Sequence, residues 1–250
     1  MVYEKLIEQN EVIELGGHRL ICGDSTDSKI IEKIVGSNNI DCLLTDPPYG
    51  VSYTESKKDF SELSNKTAIT NDNLDEEGVY RQFTKDWLEA LLPHLAAKNS
   101  MYIFNSDKNV FALKQAMDAT DVYLSQLLVW AKTSSVIGRL DYLPQHELIT
   151  YGWHGTHEFE KSQDKSLLVH PKPNKSELHP TMKPPGLLRR LILNSTQIGD
   201  VVLDPFGGSG STLIACQQTK RRCLMVESDP DHCQTIIKRF EKLSADNSNN

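Results

Sequence analysis

Two short stretches of this sequence combine residues that can do chemistry. The first, Asp46-Pro47-Pro48-Tyr49, follows the apolar run Ile40 to Thr45. Consecutive prolines stiffen a turn and remove two backbone donors while leaving their carbonyls as acceptors. Asp46 adds a carboxylate and Tyr49 an aromatic face. An acceptor cluster beside a stacking surface suits a planar ring that carries an amino group, because that group offers two donor hydrogens. The second stretch is Asp204-Pro205-Phe206-Gly207-Gly208-Ser209-Gly210-Ser211-Thr212. It stands between a predicted strand and a predicted helix, where glycines let the backbone approach a ligand and a helix N-terminus favours negative charge. No Gly-Lys-Ser/Thr follows, so this is not a phosphate-cradling P-loop. Glu227 closes the next predicted strand, and an acid there can bind a ribose diol. The pair points to an adenosine-containing ligand.

Regular elements must position these turns. Glu11 to Leu15 and His18 to Cys22 flank Gly16-Gly17, a hairpin signal. Asp27 to Val35 reads as a short helix. Ile40 to Thr45 reads as a strand covered on both faces, since nearly every residue in it is apolar. Asp75 to Ala97 has the strongest helical pattern: Val79, Phe83, Trp87, Leu88, Leu91, Leu92 and Leu95 share one face, and acids crowd its start. Ser100 to Phe104 is a predicted strand and Asp107 to Ala119 a helix. Val122 to Ala131 and Glu147 to Gly152 read as an antiparallel pair, while the rest of Lys132 to Leu178 shows little apolar periodicity. Pro184-Pro185 opens a helix, Gly186 to Thr196. Val201 to Asp204 (strand), Ser211 to Gln218 (helix), Arg222 to Glu227 (strand) and Pro230 to Leu243 (helix) complete the chain. This alternation predicts an α/β fold, a mostly parallel sheet with helices on both faces. One domain over 1–250 is expected, with an inserted segment at about 133–178 and an unstructured polar tail at 244–250.

Composition sets the outer bounds. A chain of 250 residues, 38% hydrophobic and 24% charged, can bury one sizeable core. No apolar run is long enough to cross a bilayer, and Glu4, Lys5 and Glu8 replace a signal-peptide core, so a cytoplasmic location is expected. The net charge of −7 argues against a whole-surface polyanion binder but leaves room for a local basic cleft. The five cysteines, Cys22, Cys42, Cys216, Cys223 and Cys233, form no C-x-x-C pair and read as reduced, buried thiols. His154 and His157 have ligand spacing without a helical pattern, and no metal is predicted there.

Taken together, the two turns resemble the amino-methyltransferases that modify DNA at N6 of adenine or N4 of cytosine. TDPPYG is similar to their catalytic motif and DPFGGSGST to their S-adenosylmethionine motif. The catalytic motif comes first, which resembles the permuted subgroup called the β class. His179-Pro180-Thr181-Met182-Lys183-Pro184, Val129-Trp130-Ala131-Lys132, Gln145-His146-Glu147 and Cys22-Gly23-Asp24 resemble further pieces of it, so the likeness runs from about Leu15 to Phe240. It implies a Rossmann-like S-adenosylmethionine methyltransferase fold in which the strand ending at Asp204 lies beside the strand ending at Thr45. It also implies roles. Asp46 and the Pro47 carbonyl accept from the target amino group beside Pro48, and Tyr49 stacks on the base. Asp204, Pro205, Phe206, Gly207, Gly208 and Gly210 wall the cofactor, and Ser211 and Thr212 bind its carboxylate. Glu227 takes the ribose, Asp24 the adenine amino group, and Thr181 and Lys183 the methionine end.

Asp rather than Ser ahead of Pro-Pro-Tyr implies adenine N6 in double-stranded DNA, with N4 of cytosine as the alternative. Arg139, Lys161, Lys165, Lys172 and Lys175 are the expected DNA contacts, together with the loop Val51 to Asn73. So small a reading region predicts a short or relaxed recognition site. A homodimer is possible on this reading, and any restriction endonuclease partner is a separate chain. Three rivals are weaker. One is an RNA or protein-amide methyltransferase; the family members that act on glutamine amides typically carry Asn in place of Asp46. A nicotinamide oxidoreductase needs the glycine turn first in the chain. A silent DNA-binding module needs a broken motif, and both motifs are intact.

Overall fold

The computed structural model describes residues 7–48, 76–135, 141–160, 163–171 and 182–248. Tyr49, Arg139, Lys161, Lys172, Lys175 and Thr181, and the loop Val51 to Asn73, lie outside these residues. The strands are β1 (Val12–Leu15), β2 (His18–Cys22), β3 (Ile40–Thr45), β4 (Leu95–Asn105), β5 (Val122–Ala131), β6 (His146–His154), β7 (Leu167–Val169), β8 (Val201–Asp204) and β9 (Arg222–Glu227). The helices are α1 (Ser28–Val35), α2 (Glu76–Leu91), α3 (Val110–Ala119), α4 (Pro185–Ser195), α5 (Ser211–Thr219) and α6 (Pro230–Ser248).

All nine strands join one sheet in the order β1-β2-β9-β8-β3-β4-β6-β5-β7. The pairs β2·β9, β9·β8, β8·β3, β3·β4 and β5·β7 are parallel; β1·β2, β4·β6 and β5·β6 are antiparallel. Alternation along each strand splits the core in two. Leu20, Cys22, Cys42 and Leu44 face a cluster with Leu187, Leu191, Cys216 and Ile236, which come from α4, α5 and α6. Ile21 and Leu43 face the other way, onto Ile31, Trp87, Leu88 and Leu113 from α1, α2 and α3. Period-two strands between two layers of helices therefore produce one doubly covered sheet. All five cysteines are free and buried, as small apolar side chains. Among the described residues, no helix is long and apolar enough to cross a membrane.

Local chemistry sets most boundaries. Asp27 caps α1 by accepting from Lys29 N at 2.9 Å, and Gly36 closes it at φ 59°. Pro184 and Pro185 begin α4, whose first backbone N–H groups have no partner within the helix in any case.

Four expectations need correction. The helix predicted over Asp75 to Ala97 stops at Leu91, because Pro93 interrupts the ladder; a 3₁₀ turn follows, and Leu95 opens β4 instead of continuing the apolar stripe. The helix predicted from Asp107 starts at Val110. The closing helix reaches Ser248, through residues expected to be unstructured. The strand predicted over Glu147 to Gly152 runs from His146 to His154, and a short strand, β7, forms where none was predicted.

Candidate active site

The two chemical turns open on the same edge of the sheet. From β3 the chain crosses through α2 to β4 on one side; from β8 it crosses through α5 to β9 on the other. Strand order therefore reverses between β8 and β3, and a crevice opens outside the carboxyl ends of strands at such a point. Cys42 pairs with Val202 and Leu43 with Leu203, so Thr45 and Asp204 finish side by side. Thr45 Oγ1 donates to Asp204 Oδ1 at 2.8 Å across 159 residues of chain. That contact joins the acid-proline turn to the glycine turn.

Asp204 is buried and anchors the glycine turn. Phe206 N donates to its Oδ1 at 3.1 Å, and the Thr212 hydroxyl also reaches its carboxyl. Burial pushes the Asp204 carboxyl up to about 7 against these donors, and the charge of Asp46 adds to the rise. Thr212 is thus turned inward, and the Ser211 hydroxyl lies 3.2 Å from that of Ser209. The Thr212 hydroxyl is thereby engaged with Asp204 and that of Ser211 with Ser209. Pro205 is fixed by its carbonyl, which accepts from Ser25 Oγ. Phe206 rests on α2, its ring centroid 5.6 Å from those of both Phe83 and Trp87.

The glycines fit a nucleoside cofactor held against bare backbone. A Cβ at Gly207 stands 2.7 Å from Met225 Cγ, and one at Gly210, where φ is +75°, stands 3.0 Å from Ile236. Gly208, at φ +51°, faces open space. Its N–H donates to Glu227 Oε2 at 2.6 Å, and Asp229 N donates to Oε1 at 2.9 Å. Two backbone donors hold the Glu227 carboxylate in place; His232 Nδ1 also approaches Oε1, at 3.8 Å, while Oε2 keeps a further lone pair. Cys22 pairs with Glu227, and Gly23 N donates to the Glu227 carbonyl at 2.9 Å. Half-buried Asp24 follows on the same edge, its Oδ1 accepting from Thr26 N and Oγ1. Asp24, Glu227 and the glycine turn therefore stand on one edge of the sheet.

The catalytic turn contains the main surprise. Lys183, expected at the methionine end or in solvent, is 7% exposed and donates to Asp46 Oδ2 at 2.5 Å. It also lies 3.1 Å from Glu147 Oε2, and Glu147 Oε1 lies 2.7 Å from the buried Lys132. Burial pushes the Glu147 carboxyl up, but Lys183 and Lys132 more than reverse this and hold it below its usual value. Pro47 is buried and Pro48 exposed. Near them, Asn105 Nδ2 donates to Tyr80 Oη at 3.3 Å. Burial, helped by the Asp46 charge, pushes the Tyr80 phenol well up. Sequence reasoning treated Lys132 and Glu147 as parts of strands and missed their charges. The available signal was a lone charge at the end of an apolar strand.

The expected DNA contacts are only partly placed. Lys165 is exposed and precedes β7 at the lateral edge of the sheet. His154 lies at the opposite end of the sheet from the crevice, paired with Val122, and His157 stacks on Trp153 with centroids 3.7 Å apart. Those two histidines are far from the chemistry. The connection from β5 to β6 leaves the sheet beside the crevice, next to Lys132 and Glu147, and the connection from β7 to α4 ends there at Lys183.

Comparison with known proteins agrees with this geometry. The chain matches a family model described as DNA methylase (N6_N4_Mtase) over residues 40–239. It is 25% identical to the type II methyltransferase M.HpaI of Haemophilus parainfluenzae over 248 residues, 89% of this chain and 74% of that one. It is 26% identical to the type II methyltransferase M2.MboI of Moraxella bovis over 225 residues, 83% of this chain and 82% of that one. Among solved structures it superposes on M1.HpyAVI in complex with SAM with a TM-score of 0.66 at 21% identity, covering 88% of this chain and 98% of that one. On the cytosine-N4-specific PvuII DNA methyltransferase the TM-score is 0.69 at 15% identity, over 90% and 89% of the two chains.

Proposed function

The chain belongs to the DNA methylase family, with S-adenosylmethionine as its methyl donor, and we propose that its target is N6 of adenine in double-stranded DNA. The observation that carries this reading is the contact from Thr45 to Asp204, which puts the Asp46 acceptor and the glycine turn on one crevice. A carboxylate ahead of Pro-Pro-Tyr supports adenine over cytosine.

The target base lies inside a duplex, and extruding it costs a few kcal/mol. Tyr49 stacks on the extruded base and offsets roughly 1–3 kcal/mol of that. Bound S-adenosylmethionine supplies an electrophilic methyl group on a sulfonium sulfur. Asp46 and the Pro47 carbonyl accept hydrogen bonds from the amino group. They orient its nitrogen lone pair and stabilise the positive charge that develops there. Phe206, Gly207, Gly208 and Gly210 wall the cofactor, Glu227 takes the ribose hydroxyls, and Asp24 takes the adenine amino group. Ser211 and Thr212 contribute through backbone N–H groups at the start of α5, since their hydroxyls are engaged with Ser209 and Asp204. Thr181 takes part in holding the methionine end of the cofactor. Lys183 belongs with Asp46 instead of with the methionine.

Duplex reading falls to the connections around 133–145 and 170–182, with Arg139, Lys172 and Lys175, while Lys161 and Lys165 contribute phosphate contacts. The test is expression in a bacterium that lacks DNA methylation, followed by nucleoside mass spectrometry of its DNA. N6-methyladenine at a short site is expected. N4-methylcytosine supports the alternative, and unmodified DNA from cells containing the folded protein overturns the reading.

A further inference from the structure

Four charges stand in line behind the catalytic turn. Lys132 Nζ meets Glu147 Oε1 at 2.7 Å, Glu147 Oε2 meets Lys183 Nζ at 3.1 Å, and Lys183 Nζ meets Asp46 Oδ2 at 2.5 Å. Both lysine side chains are nearly fully buried, at 7% and 8% exposure, while Glu147 and Asp46 keep 21% and 27%. Each ammonium also lies over a ring, Lys132 over Trp130 and Lys183 over Phe104, both at 5.1 Å from the centroid. Taking so many charges out of water is costly, and apolar residues of the same volume fill a core at least as well. Packing alone does not account for the row.

The row is balanced, with two cations and two anions. Lys183 is shared between two carboxylates, and Glu147 between two ammoniums. We propose that Glu147 and Lys132 are positioning residues for methyl transfer: through Lys183 they set where the Asp46 carboxylate points and how strongly it accepts from the target amino group. This rests on Asp46 being that acceptor. Removing the Glu147 charge leaves two ammoniums facing the one carboxylate of Asp46, and a carboxylate held by excess positive charge accepts more weakly from the amino group. Removing Lys132 alone draws Lys183 toward Glu147, and the Asp46 carboxylate loses the ammonium that fixes where it points. Removing both charges together restores one cation to one anion. The charge model therefore gives a sign that packing does not: each single variant is slower than the double. If the residues serve only as filling, the second truncation adds to the damage of the first.

The experiment measures single-turnover methyl transfer to duplex DNA for the full chain and for Glu147→Gln, Lys132→Met and the double variant. S-adenosylmethionine affinity and melting temperature are taken for each. Glu147→Gln is expected to slow transfer about tenfold, less than the roughly 10²–10³ lost with a direct transition-state hydrogen bond. Cofactor affinity and the KM for DNA are expected to stay near those of the parent. The double variant recovers most of the rate. Should one single variant fail to fold, the other and the double still decide the sign. Parent-like transfer by Glu147→Gln, or a double variant at or below the slower single, overturns the inference. A parent chain that binds S-adenosylmethionine and moves no methyl to DNA overturns the reading of Asp46 as well.

Discussion

Replacing the glycines of the cofactor turn one at a time separates stability from binding. At Gly210 an alanine must hold φ at +75°, which costs an L-residue about 1–2 kcal/mol. Its Cβ also stands 3.0, 3.1 and 3.4 Å from three carbons of Ile236, a buried β-branched side chain with little freedom to turn away. Overpacking of that kind costs about 1–3 kcal/mol, so Gly210→Ala is expected to lose roughly 2–5 kcal/mol. Gly208→Ala keeps φ at +51° but meets nothing within 4 Å. Its stability cost stops at the backbone strain, about 1–2 kcal/mol. Its new methyl projects into the crevice, where the cofactor must lie against backbone. The expectation is a crossed pair: Gly210→Ala melts several degrees below Gly208→Ala, at about 2–4 °C per kcal/mol. Gly208→Ala binds S-adenosylmethionine at least about tenfold more weakly than its small stability loss explains. Calorimetric melting and titration calorimetry on both variants supply the two numbers. Equal melting temperatures, or parent-like affinity in Gly208→Ala, refute the reasoning.

Two further predictions concern titration. Asp204 carries a folded value of about 7 against 3.8 unfolded, so the native state binds the extra proton between those values. Its contribution to stability is fully present below the unfolded value and is lost as pH rises through about 7. The loss is on the order of 4 kcal/mol. Urea unfolding at pH 5 and pH 8 should show about 2–3 kcal/mol of this fall, and Asp204→Asn, which keeps an oxygen for Thr45, should flatten it; an equal fall in the variant counts against the assignment. His232 is raised above 6.5, first by its hydrogen bond to Glu227 and then by nearby acids, against partial burial. Its share of stability is therefore present below 6.5 and is lost above the raised value. NMR titration should find the shift, and Glu227→Gln should reduce it.

The sequence was legible where one physical signal sufficed. Ile40 to Thr45 and Arg222 to Glu227 are strands with the predicted ends, because short apolar runs bounded by turn residues leave few alternatives. The glycine turn and Glu227 were also legible, since their residue types are rare in combination. Leu92 and Leu95 misled because helical spacing can continue by accident past a proline, and the pairing of Leu95 with Ile40 settled the matter. β7 was missed because three residues, Leu167 to Val169, carry no period; β5 beside them makes the strand. The ion pair of Lys183 with Asp46 was invisible for a similar reason. A lysine beside proline carries no pairing signal until the fold buries it and brings a carboxylate against it.

The central claim is that Asp46 accepts from the target amino group in a pocket whose cofactor side is built separately, by the glycine turn. Its most direct test is single-turnover transfer of labelled methyl to duplex DNA by Asp46→Asn, alongside its affinity for S-adenosylmethionine. The account predicts a rate lower by at least roughly 10²-fold with cofactor affinity nearly unchanged. Transfer near the parent rate, or a loss explained by failure to bind the cofactor, contradicts it.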